Sequence, residues 1–191
     1  MAKNAALFRE RYILAYVGST ILIVASVFSY MLYPKAAPAA ALSSADSKSF
    51  QSGRFGIFFM YPENYRLDER DLGGAAPLHF ALVLKPSPGS SSSGGQIVID
   101  MYEDEPEYMT AGDFVRAYPD LAMRAIGADI ASSTRGYLHG LEFPWSPPYQ
   151  GRTFVVARKG FIYAFSLVGA DETSAIGRDF DRIVATAAVA R

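Results

Sequence analysis

Residues 151–168 read GRTFVVARKGFIYAFSLV. Two apolar runs, Gly151–Arg158 and Phe161–Val168, flank Lys159-Gly160, a dipeptide that supplies a turn and a residue tolerant of positive φ. Val155 and the alternating series Phe161, Tyr163, Phe165, Leu167 predict pairing with one aromatic-rich face. This is the pattern of an antiparallel hairpin. Directly downstream, residues 171–186 place Ile176, Phe180, Ile183 and Val184 at i, i+4, i+7 and i+8, the spacing of an amphipathic helix. Asp171 and Glu172 suit the positive N-terminal end of that helix.

Upstream, residues 55–61 alternate with Phe55, Ile57, Phe59 and Tyr61 on one face, while Phe58 and Met60 make the other face apolar too. A strand of that kind is central or covered by helices. Pro62 ends it and Asn64 continues the turn, after which the polar residues 65–77, with Gly73-Gly74, read as a loop. Residues 78–84 predict a second strand, with Leu78, Phe80, Leu82 and Leu84 on one face. Residues 85–95, KPSPGSSSSGG, form a low-complexity connection without the Gly and Lys order of a phosphate-binding loop. Residues 96–102 predict a third strand. Across 110–127 the spacing of Phe114, Leu121, Ala125 and Ile126 predicts a helix, capped by Thr110 with Asp113 three residues on and interrupted at Pro119. Strands, helix, strands, helix: that order gives an α+β class, a mainly antiparallel sheet with helices packed on it.

The strand at 55–61 runs into Tyr61-Pro62-Glu63-Asn64-Tyr65. An aromatic-Pro-x-x-Trp/Tyr turn after an alternating apolar strand resembles the opening of PsbP-like domains. The glycine-turn hairpin and the closing helix with Phe180-x-x-Ile183 look like the same family. Over residues 50–188 the resemblance implies an α-β-α sandwich serving as a non-catalytic accessory or interaction module. It implies no metal, cofactor or partner residues.

The N-terminal segment reads differently. From residue 12 to residue 34 no side chain is charged, and residues 12–33 read YILAYVGSTILIVASVFSYMLY. As a helix these span roughly 33 Å at about 1.5 Å per residue, enough to cross a hydrocarbon core of about 30 Å. Tyr12, Tyr30 and Tyr33 stand where amphipathic rings favour headgroups. The length of the run favours a retained signal anchor over a cleaved signal peptide, with cleavage after Ala41 in the small-residue stretch 36–41 as the alternative. Lys3, Arg9 and Arg11 precede the span and favour a cytoplasmic N-terminus. The expected organisation is a cytoplasmic tail at 1–11, a transmembrane helix at 12–33, a Pro/Ala/Ser-rich tether at 34–49 and an extracytoplasmic domain at 50–191 of a single-pass cell membrane protein.

The chemistry on offer is sparse. The chain has 191 residues, 50% of them hydrophobic and 14% aromatic, which excludes intrinsic disorder as a whole. A net charge of −1 provides no field for nucleic acid, and zero cysteines exclude disulfide scaffolds and thiol nucleophiles. No hydrolase, zincin, dinucleotide or EF-hand signature occurs, and the chain predicts no catalytic residues, cofactor or metal. His79 interrupts a strand and His139 sits in a Tyr-Leu-His-Gly turn; both read as core-edge or surface residues. The acidic run Glu103, Asp104, Glu105, Glu107 lacks the spacing of a calcium loop and reads as solvated. The stretch 141–150, LEFPWSPPYQ, holds the single tryptophan. Two readings stay open for it. Phe143 and Trp145 fold back onto the core, or Phe143, Trp145 and Tyr149 form a rigid contact surface for another extracytoplasmic or membrane protein. The function expected is a membrane-anchored accessory or protein-binding module and not an enzyme, with an extracytoplasmic hydrolase or a small-ligand carrier as alternatives.

Overall fold

The computed structural model describes residues 46–73, 78–89, 94–103, 109–118, 129–145, 148, 150–158 and 160–190. The predicted transmembrane helix, most of the tether, residues 90–93, 104–108 and 119–128, and Tyr149 lie outside them. Among the described residues no helix is long and apolar enough to cross a membrane.

A large sheet of seven strands has the order β3-β4-β5-β9-β8-β7-β6, and every pairing in it is antiparallel. Its strands are β3 (Tyr65–Gly73), β4 (His79–Pro86), β5 (Gln96–Glu103), β6 (Ala131–Arg135), β7 (Leu138–Pro144), β8 (Gly151–Arg158) and β9 (Phe161–Val168). A second sheet has the order β1-β2-β10, from β1 (Ser47–Ser52), β2 (Ile57–Pro62) and β10 (Ala188–Val189). The helices are α1 (Ala111–Ala117) and α2 (Ala175–Thr186).

Alternation along the strands divides the core in two. On one face of the large sheet Leu82, Leu84, Ile97, Ile99, Met101, Phe154, Phe165 and Leu167 meet Ile57 and Phe59 of β2 and Ile176, Phe180, Ile183 and Val184 of α2. Each such buried side chain contributes on the order of 1.5–3 kcal/mol relative to exposure. The Thr186 hydroxyl accepts a hydrogen bond from the Met60 amide at 3.0 Å, which fixes α2 beside β2. On the other face Tyr102, Phe143, Val155, Ile162 and Ala164 meet Phe114 and Val115 of α1. Layers on both faces of a mainly antiparallel sheet make the α+β architecture that the element order predicts.

The hairpin β8–β9 has the predicted bounds, and its register pairs Arg158 with Phe161 across the turn. Thr110 caps α1 through a reciprocal box with Asp113. For α2 the cap is Ser174, whose hydroxyl accepts from the Gly177 amide, so the helix starts four residues later than Asp171.

Four readings need correction. Residues 65–77 do not form a loop at their start, because β3 occupies Tyr65–Gly73. It pairs with one neighbour, so only Tyr65 and Leu67 need to be apolar and the charged remainder hides the strand from a periodicity search. The tether read at 34–49 gives up its last three residues to β1, whose single large apolar side chain, Phe50, stacks on Phe59 at 5.2 Å. His139 does not sit in a turn. It lies within β7, and the turn is Gly136-Tyr137, where Gly136 has φ 59° and lies so close to the Ala185 carbonyl that a Cβ would stand 2.3 Å from its oxygen. The first strand begins at Ile57, is central in its own sheet, and leaves Phe58 37% exposed rather than covered.

Candidate functional site

Four polar arrangements are built on this frame, and three bond chiefly within the domain, with the buried Arg152 Nε left without a hydrogen-bond partner among the described residues. Arg152, near the start of β8, is the first. Its side chain is only 6% exposed and lies over the Phe180 ring, 4.9 Å from the centroid. One terminal nitrogen donates to Glu142 Oε1 at 3.0 Å and the other to Asp181 Oδ1 at 2.5 Å. Arg135 of β6 donates to both oxygens of Glu142 and to Asp181 at 3.2 Å, and the Ser133 hydroxyl donates to Glu142 at 2.7 Å. Burial by itself raises the pKa of the Glu142 carboxyl; hydrogen bonds from Arg135 and Ser133 and the charges of Arg135 and Arg152 outweigh it and hold Glu142 below the ordinary carboxylate range. For Arg135 burial acts downward, and the bond and charge of Glu142 with the charges of Asp181 and Glu172 carry the balance upward. The cluster joins α2 to β6, β7 and β8.

The second arrangement lies on the opposite face. Trp145 is 8% exposed, and its indole N–H donates to the Thr153 hydroxyl at 2.9 Å, which shares a hydrogen bond with Ser166 at 3.0 Å. A Cβ at Gly151 would stand 2.9 Å from the tryptophan ring, so glycine is what lets the indole lie down over β8. Phe143 is fully buried beside Phe114 and Val155. Of the three sequence-predicted contact residues, then, Phe143 and Trp145 are placed inside the domain as the packing reading requires, and Tyr149 lies outside the described residues.

In the third, His79 Nε2 and Asp100 Oδ1 lie 2.7 Å apart, and the imidazole stacks on Tyr102 at 4.3 Å. Burial, then the Asp100 charge, pushes the Tyr102 hydroxyl well above the ordinary phenol range. His79 opens β4 at the margin of the core, in keeping with the core-edge expectation. Among the described residues no group of three metal-ligating side chains converges.

The fourth is open. A cleft of about 590 Å³ lies between the first turn of α1 and the β6–β7 hairpin, lined by Thr110, Gly112, Arg116, Ser132, Thr134 and His139 among others. Thr134 Oγ1 and His139 Nδ1 are 2.9 Å apart, which engages one ring nitrogen. Arg116 is largely exposed and bonds Asp113 at 2.6 Å. The cleft presents hydroxyls, an imidazole and a guanidinium, a set suited to hydrogen-bonded recognition. Sequence reasoning missed it because its wall is the hairpin that small polar residues conceal. The ion cluster had one visible signal, an arginine close to the apolar run 154–157 of β8.

No protein-family model matches the chain, and no curated protein matches it. Solved structures resemble it, two of them as follows. One is a crystal structure of a protein from Bacteroides thetaiotaomicron, with a TM-score of 0.50 at 10% identity over 76% of this chain. The chain spans about half of that protein, 49% of its length. The likeness speaks for the fold alone. The other is the solution structure of cyanobacterial PsbP (CyanoP) from Synechocystis sp., with a TM-score of 0.49 at 16% identity over 78% of this chain and 95% of that one.

Proposed function

We propose that this chain is a membrane-anchored extracytoplasmic accessory or protein-binding module of PsbP-like type, without catalytic activity. The observation that carries the reading is the contrast among the four polar arrangements. Arg152, Trp145 and His79 are engaged inside the domain, whereas the hydroxyl-lined cleft beside β6 and β7 opens to solvent. Partner contact then belongs to the cleft rather than to Trp145. The uncharged run at 12–33 and the basic residues before it support the anchor and its orientation, and the Tyr61–Tyr65 turn supports the family assignment.

Site-specific photo-crosslinking on the full chain in its native membrane tests the reading. A crosslinker at Thr134 is expected to give a discrete protein adduct, and one at Arg70, on the far edge of the sheet, is expected to give none. Equal adducts from both positions, or none from Thr134, overturn it. A reporter that works only in the cytoplasm, fused after Arg191, is expected to stay silent; a strong signal overturns the topology.

A further inference from the structure

The two outer strands of the large sheet are protected to very different degrees. A free strand edge offers unpaired N–H and C=O groups, and natural sheets blunt it with charge or bulges. Strand β3 does both: it carries Arg66, Asp68, Glu69, Arg70 and Asp71, and its register shifts between Asp71 and Gly73. Strand β6 reads Ala-Ser-Ser-Thr-Arg. Its one charge, Arg135, is drawn to Glu142 and Asp181. Among the described residues β6 has a single strand neighbour, β7.

The register shows which backbone groups are free of that neighbour. Arg135 pairs with Leu138 across the two-residue turn, and the closing pair of such a hairpin is hydrogen-bonded. Alternation makes Ser133–Gly140 and Ala131–Glu142 the other bonded pairs. The N–H and C=O groups of Ser132 and Thr134 therefore point outward. Their side chains line the cleft against α1. On the other face α2 comes close to the same hairpin, through Asp181 on Arg135 and the Ala185 backbone at Gly136.

We propose that an extended peptide segment of a partner protein adds to β6 as a further strand, between α1 and α2, carrying a basic residue on its α2 side. This rests on the protein-binding reading above and names the partner's chemistry. Backbone pairing with Ser132 and Thr134 supplies affinity, and side chains alternating to either face supply specificity. On the α1 side they enter the hydroxyl-lined cleft. Toward α2 lies the ion cluster, in which among the described residues Glu142, Asp181 and Glu172 pair with Arg135 and Arg152, an excess of one negative charge within the cluster, with Glu172 63% exposed. Lysine or arginine is the complement.

The test is selection of a random ten-residue peptide library on the full chain in detergent, followed by affinity measurement with the tightest synthetic peptide. Selected peptides are expected to share a Lys or Arg. Methylating the peptide's backbone nitrogens one at a time is expected to weaken binding at least tenfold at every second position and less than threefold between. Thr134→Pro, which removes an outward N–H, is expected to abolish binding, whereas Thr134→Val retains it. A flat or uniform methylation scan, an unchanged affinity in Thr134→Pro, or a library that yields no binder overturns the proposal. The scan uses the unaltered protein, so a variant that fails to fold does not decide it. A Thr134 photo-adduct with a flat scan sinks strand addition and leaves the binding-module reading standing; a period-two scan with no adduct in the membrane does the reverse.

Discussion

Two buried polar assemblies face each other through the same sheet, and they are held by different physics. On the α2 face Arg135 and Arg152 share Glu142 and Asp181, so the assembly is ionic. On the α1 face Trp145, Thr153 and Ser166 form a chain of neutral donors and acceptors. Adjacent residues of β8, Arg152 and Thr153, serve one each, because successive side chains point to opposite faces. The neutral chain combines a large apolar payload with one satisfied N–H. The ionic one depends on every carboxylate remaining charged, since desolvated arginines without partners are costly. The comparison predicts that pH separates the two faces.

The largest expected effect is on the neutral side. Trp145→Ala removes a ring packed over Thr153 and is expected to cost about 3–5 kcal/mol, as large aromatic truncations in cores do. Urea melts of the full chain in mild detergent, followed by circular dichroism, measure it. The loss should be the same at pH 7 and pH 4. A midpoint unchanged by the substitution would return Trp145 to the role of a surface contact.

Next comes the ionic side. Glu142→Ala leaves Arg152 with Asp181 and the distant Glu172, and is expected to cost about 3 kcal/mol at pH 7, the lower end for breaking a buried pair because Asp181 remains. The sign with pH follows from the depressed carboxyl. Glu142 titrates lower in the folded chain than in the unfolded one, where a glutamate titrates near about 4.3. Its contribution is complete above that value and disappears as pH falls through the folded value. Unaltered protein should therefore lose stability on acidification below about pH 4, and Glu142→Gln should show a shallower loss. Asp113 and Asp171, also lowered by hydrogen bonds from Thr110 and Thr173, preserve part of the slope. Identical slopes for Glu142→Gln and the unaltered chain would remove the ionic cluster from the account.

These two assemblies were unequally legible in the sequence. Strand pairs with apolar alternation, β8–β9 above all, announce themselves because both of their faces are buried. Phe143 and Trp145 were visible as aromatics that needed a place, though two readings fitted them. Strands β1, β3, β6 and β10 were not visible, since a strand with one neighbour needs few apolar side chains, and β7, which has two neighbours, was missed as well. With β6 unread, Ser133 and Arg135 could not be brought to Glu142, nor the cleft wall to α1. Arg152 and Asp181 are 29 residues apart and meet only through the packing of α2 on the sheet. Such convergence is a property of tertiary arrangement, and no local period encodes it.

The smallest effect sharpens the neutral side by dividing packing from hydrogen bonding. Trp145→Phe keeps an aromatic ring over Thr153 and deletes the indole N–H. Thr153 and Ser166 still bond each other, so no hydroxyl is left without a partner. The loss should then approach the net worth of one neutral hydrogen bond, about 1 kcal/mol, with some added cost for the smaller ring. Adding Thr153→Val to each background closes a double-mutant cycle. If the N–H bond is a real coupling, Thr153→Val should cost more in the unaltered chain than in Trp145→Phe, by about 0.5–1.5 kcal/mol. Equal costs in both backgrounds would mean that Trp145 holds its place by shape alone. The contrast with the ionic face would then rest on packing against charge, with the hydrogen bond incidental.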